Sequence, residues 1–150
     1  MLASFQCFAQ PRLTGEPLKI AMLASGAAER VEGAVVAVFP DSIRKSGSLR
    51  KFDAAIFYDR PQQIVPLRRD RPPYRSVSVE FEVDCYNDRG RTLAADYYDG
   101  ETLDGNKILS VNPGKGAMGQ LSATVGLGWE RLGRNWSPSV ESALARRVCG

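Results

Sequence analysis

The chain contains no histidine. That absence removes the Ser-His and Cys-His pairs of nucleophilic catalysis and nearly all familiar zinc and non-haem iron sites. Cysteine is scarce too: Cys7, Cys85 and Cys149 form no C-x-x-C pair and stand too far apart for a zinc ribbon. No apolar run approaches the roughly 18 residues that would cross a bilayer, so no transmembrane segment is expected. Charge of one sign is not in large excess. A net charge of +3 permits contact with acidic partners but does not point to nucleic acid. An enzyme built from this sequence would need a carboxylate pair or a lysine at its centre, and the sequence groups none. No catalytic, cofactor-binding or metal site is expected.

What is present has globular composition: 43% of the residues are hydrophobic and 25% are charged, which argues against disorder. Its 150 residues suffice for one domain with a modest core and not for two. The opening "MLASFQCFA" is mostly apolar, with small residues at Cys7 and Ala9, the two positions a signal peptidase reads. Residues 1–17 are therefore set apart, either as a frayed terminus or first strand or as the remnant of an export signal. Residues 18–150 form the single domain.

The clearest element is "YRSVSVEFEVDCYND", residues 74 to 88. Val77, Val79, Phe81, Val83 and Cys85 share one parity, while Ser78, Glu80, Glu82 and Asp84 share the other. A strict period of two predicts a strand with one dry and one wet face. The turn "NDRG" and the run "RTLAADYYD" complete a hairpin. Further strands are expected near Leu18–Leu23, over 32–39, over 49–59 and at "KILSVN", with "DSIRKSGS" as a turn. The segment "RPQQIVPLRRDRPP" carries too many prolines for a ladder and reads as a long loop. At the C-terminus "WSPSVESALARRVCG" changes period: Val140, Leu144 and Val148 recur every four residues, with Ala145 and Cys149 beside them. Ser137 is the expected cap, Pro138 the first helical residue, and Arg146 and Arg147 suit the negative end.

Several motifs suggest chemistry and fail on context. "SIRK" (Ser42 to Lys45) matches S-x-x-K but lies in a turn beside Gly47, where that motif needs a helix start. "NPGKG" lacks the spacing of a phosphate loop. The acidic residues 96, 99, 101 and 104 do not space as a calcium loop, and two Asp-Gly turns explain them. "NWS" at 135–137 is a glycosylation sequon followed by Pro138 and is read as chance. Trp129 and Trp136 are expected to pack where the helix meets the sheet, or to anchor an interface. Arg68, Arg69, Arg71 and Arg75 cluster among prolines and Tyr74. They form either a solvated loop or a basic patch for an acidic partner, and these four are the candidate partner-binding residues. Cys85 remains open at this point: filler, ligand, nucleophile or half of a disulfide.

Taken in order, "PDSIRKSGSLRKFDAAIFYDRPQ", "YRSVSVEFEVDCYNDRGRTLAADYYD" and "WSPSVESALARRVC" resemble the bacterial surface-adhesin protein E family over roughly residues 34 to 149. The resemblance implies an α+β fold, an antiparallel sheet of about six strands with one C-terminal helix packed on it. It implies a disulfide between Cys85 and Cys149 that ties the helix to the sheet, and a periplasmic or outer-surface location. In that family one member binds the host matrix proteins vitronectin and laminin. The resulting expectation is a non-enzymatic binding or adhesion module with a protein or acidic-glycan partner and a possible homodimer. The alternative is a structural subunit of a larger envelope or virion assembly.

Overall fold

The computed structural model describes residues 15–63, 72–112 and 128–150. The strands run β1 (Ala28–Val31), β2 (Ala34–Val38), β3 (Arg44–Ser46), β4 (Leu49–Gln62), β5 (Tyr74–Asp84), β6 (Arg89–Tyr98), β7 (Lys107–Val111) and β8 (Glu130–Arg131). All eight belong to one sheet, six of them in the order β1-β2-β4-β5-β6-β7; β3 pairs with β4 and β8 with β6. All pairings are antiparallel. The α+β architecture expected from the sequence is the one observed.

The alternation in β5 sets the sheet's main buried face. Val77, Val79, Phe81 and Val83 are all buried, and Phe81 is the register partner of Phe52 on β4. Those two rings meet edge-on at 6.0 Å, a favoured aromatic geometry. The C-terminal helix α2 (Val140–Cys149) lies over β1, β2 and β4 on this face, burying Ala143, Leu144, Ala145 and Val148. Its cap differs from expectation. Ser139, in extended backbone with ψ 156°, accepts the Ser142 backbone N–H and is the N-cap. Ser137 instead accepts the Ser139 N–H, and Pro138 lies outside the helix. Because Ser139 is not helical, the free N–H groups begin two residues later than "SP" implies.

Residues 18–23 are a helix rather than a strand. Helix α1 (Gly15–Ala24) buries Leu18 and Met22, one turn apart, against Val35, Ala37, Ala55 and Phe57 on the opposite face of the sheet. Burying each of those two side chains contributes about 1.5–3 kcal/mol. The valine run of β2 is buried at every position because both of its faces are covered. The "DSIRKSGS" segment also does more than turn. A 3-10 turn at Pro40–Ser42 leads into β3, and Gly47 (φ 59°) closes a short hairpin onto β4. A positive φ of that kind favours glycine.

Asp84 departs from the wet-face expectation. It is only 4% exposed, and its carboxylate accepts the backbone N–H groups of Tyr86 and Asn87 and the Ser48 hydroxyl. Glu80 and Glu82 are half-buried, in ion pairs with Lys51 (2.9 Å) and Arg91 (2.8 Å).

Candidate binding surfaces

Cys85 follows β5 and Cys149 ends α2; the two are disulfide-bonded with their Cα atoms 5.7 Å apart across 64 residues of chain. The bond pins the last turn of α2 to the rim of the sheet. It also removes both thiols from any nucleophilic or metal-binding role. Cys7 lies outside the described residues.

Arg68, Arg69 and Arg71 also lie outside them. The structure does place their anchor points. Gln62 and Tyr74 are register partners, so the connection carrying the arginines springs from a paired base. Arg75 belongs to β5 itself. It forms an ion pair with Glu101 and donates from Nη2 to the Asp59 carbonyl at 2.9 Å, joining the loop after β6 to β4. With its side chain 27% exposed and paired on both sides, Arg75 is a strut at the start of β5 more than a free cation.

The structure adds a cavity of about 310 Å³ on the α2 face of β4, β5 and β6. Ile56, Val77, Val79 and Phe81 line it, together with Tyr58, Tyr74 and Tyr97 from three adjacent strands. The ring centroids are 5.6 Å apart for Tyr58 and Tyr74 and 4.9 Å for Tyr74 and Tyr97, with both pairs edge-to-face at 82°. Burial pushes all three phenols up in pKa, Tyr97 to about 12, and the nearby Glu141 carboxylate adds to each rise. No motif announces this cluster. The three tyrosines are far apart in sequence, and only the register of β4, β5 and β6 unites them.

Neither tryptophan packs in the core. Trp129 lies under two guanidinium groups, with Arg89 at 4.9 Å and Arg91 at 4.6 Å from its ring centroid. These arginines reach Asp84 and Glu82, so the indole sits with the charged face of the hairpin, away from α2. Trp136 is 80% exposed. Its ring lies over Gly133, where an added Cβ would come within 2.5 Å of it and where φ is 63°. A tight turn that only glycine serves well thus projects the ring outward.

The remaining motifs resolve into local structure. The Ser42 hydroxyl donates to the Phe39 carbonyl at 2.6 Å and accepts the Asp53 N–H at 2.8 Å. Asp99 accepts from the backbone and side-chain nitrogens of Asn106, and Asp104 caps Thr102, so these carboxylates organise their own loop. All of "NPGKG" after Asn112 lies outside the described residues.

No curated protein sequence matches the chain. The fold is similar to crystal structures of protein E from Haemophilus influenzae. One, from a non-typeable strain, is 19% identical with a TM-score of 0.46, over 82% of this chain and 75% of that one. The selenomethionine form is 20% identical with a TM-score of 0.45, over 82% and 85% of the two chains. The second crystal form is 18% identical with a TM-score of 0.45, over 82% and 87%. The family model described as Surface-adhesin protein E matches residues 26–150, from the end of α1 through the disulfide to the C-terminal glycine, and the chain belongs to that family.

Proposed function

We propose that this chain is a binding module of the bacterial envelope that meets its partner through the arginine-bearing connection between β4 and β5. The observation that carries the reading is the family match over residues 26–150, which makes the chain an exported, non-enzymatic adhesin-type protein. Arg68, Arg69 and Arg71 supply planar forks that suit carboxylate and sulfate groups, so the partner is an acidic glycan or an acidic protein surface. The Gln62–Tyr74 pair and the Arg75–Glu101 ion pair hold the base of the connection. Attraction between charged groups in water weakens as salt is added.

Replacing Arg68, Arg69 and Arg71 together with serine should lower the salt concentration at which the protein leaves a heparin column, with its circular dichroism unchanged. Unaltered retention by the folded triple variant removes the loop as the binding surface.

A second reading has its own observation. Tyr86 and Trp136 are 86% and 80% exposed and stand on two turns tied together by Asp88 and Arg134. Two aromatics of this exposure suit docking onto a neighbouring subunit, whether a second copy or another component of an envelope assembly. Sedimentation equilibrium of the native chain and of Trp136→Ala separates the two: self-association lost in the variant supports docking, and a monomer in both removes the homodimer.

A further inference from the structure

We propose that the cavity walled by Tyr58, Tyr74 and Tyr97 receives a single basic side chain, lysine or arginine, from a partner protein. Its shape comes first. The three rings, on adjacent strands, pack edge-to-face at 82° in contact with one another and together line the cavity. The cavity measures about 310 Å³, well above the roughly 10–15 Å³ of such space that one water molecule needs. Among the described residues, α2 packs chiefly on β1, β2 and β4, and of its residues Glu141 lines the cavity.

Its chemistry selects the occupant. The floor of Ile56, Val77, Val79 and Phe81 suits an alkyl stem, of the kind lysine and arginine lay along apolar surface. Aromatic ring faces attract a cation at the end of such a stem. Two carboxylates, Glu130 and Glu141, also line the space, and among the described residues neither makes an ion pair. One cationic residue, Arg91, shares the lining, but its guanidinium is turned to Glu82 at 2.8 Å and to the Trp129 ring. The local charge is therefore negative. An anionic ligand would be repelled, and a purely apolar one would bury carboxylates without compensation. The phenols stay protonated at neutral pH, since burial raises their pKa, so the rings keep neutral faces and hydroxyls that can accept a hydrogen bond. This site takes the charge opposite to the one the arginine connection would take, although both adjoin Tyr74.

The test uses a single blocked amino acid, N-acetyl-lysine N-methylamide, titrated into the full chain while the tyrosine ring resonances are followed by NMR. Saturable shifts of Tyr58, Tyr74 and Tyr97 are expected. Binding should weaken about tenfold or more when the probe's ammonium is acetylated, and similarly in Glu141→Gln, a change at an exposed position. Tyr74→Phe, which keeps the ring, should retain most of the affinity. The Arg68, Arg69 and Arg71 triple-serine variant should bind the probe as the native chain does, which keeps this test separate from that of the arginine connection. Equal binding of the acetylated probe, or affinity unchanged in Glu141→Gln, overturns the proposal, as does the absence of saturable shifts in a chain whose resonances show it folded.

Discussion

Asp84 and Asn87 are bound to each other twice. One carboxylate oxygen of Asp84 accepts the Asn87 backbone N–H at 3.2 Å, and the other accepts the Asn87 side-chain amide at 2.7 Å. The pair closes the turn between β5 and β6 at the point where the disulfide leaves the sheet. A residue that the alternation assigns to solvent has been drawn in to satisfy a turn.

This arrangement predicts a specific acid sensitivity. Hydrogen bonds, those from Asn87 first, hold the Asp84 carboxyl down to about pKa 2 against the opposing effect of desolvation. An unfolded Asp titrates near about 3.9. The folded value is the lower one, so the stabilisation is fully present above about pH 4 and is lost as pH falls through about 2. Urea unfolding of Asp84→Asn between pH 7 and pH 2 should show a lower plateau and a flatter acid limb than the native protein. Parallel acid limbs would mean that the Asp84 hydrogen bonds do not govern this range.

The hairpin supplies a contrast between adjacent positions. Phe81 is 3% exposed and meets Phe52 edge-on, so Phe81→Ala should cost about 3–5 kcal/mol. Glu82, half-buried on the other face, loses one ion pair to Arg91, and Glu82→Ala should cost about 1 kcal/mol. Chemical denaturation of the two variants under the same conditions measures the difference. Equal costs would show that β5 is packed equally tightly on both faces.

The tyrosine cluster predicts an alkaline transition. Burial raises the pKa of Tyr97 to about 12 and moves Tyr58 and Tyr74 the same way. Unfolded tyrosine ionises near about 10, below the folded values. The stabilisation is therefore complete below about pH 10 and is lost as pH rises toward the folded pKa. Phenolate absorbance of the native chain should show a late phase near pH 12, coincident with unfolding by circular dichroism, and Tyr97→Phe should reduce that phase. A single early titration of every tyrosine would contradict the buried cluster.

How much of this was legible in the sequence differs by element. The β5–β6 hairpin was, because each residue has one face to satisfy and a period of two survives. Helix α1 was not. Its buried residues Leu18 and Met22 share a helical stripe, but Ile20 and Leu23 are apolar and 59% and 46% exposed, which hides the period. Strands β1 and β3 are too short to carry a pattern and exist because β2 and β4 offer them ladders. The disulfide was legible through family resemblance, since its halves stand 64 positions apart in the sequence. The tyrosine cavity was invisible because its walls come from three segments whose register no local pattern encodes. The core packing expected of Trp129 and Trp136 fails for a related reason. An indole signals burial on average, yet here paired guanidiniums and a glycine turn hold the two rings at the surface.

The claim that an exported module is closed by one covalent tie between its helix and its sheet has a direct test. In the chain-entropy model a bond across 64 residues stabilises the fold by about 4 kcal/mol, a large share of a small domain's total, and it persists only in an oxidising compartment. The measurement is mass spectrometry of protein recovered from its native bacterial host, alkylated at once and digested without reductant. The expected result is a linked peptide pair containing Cys85 and Cys149, separating into two on reduction. Free, alkylated thiols at both positions would contradict the disulfide and the extracytoplasmic location together.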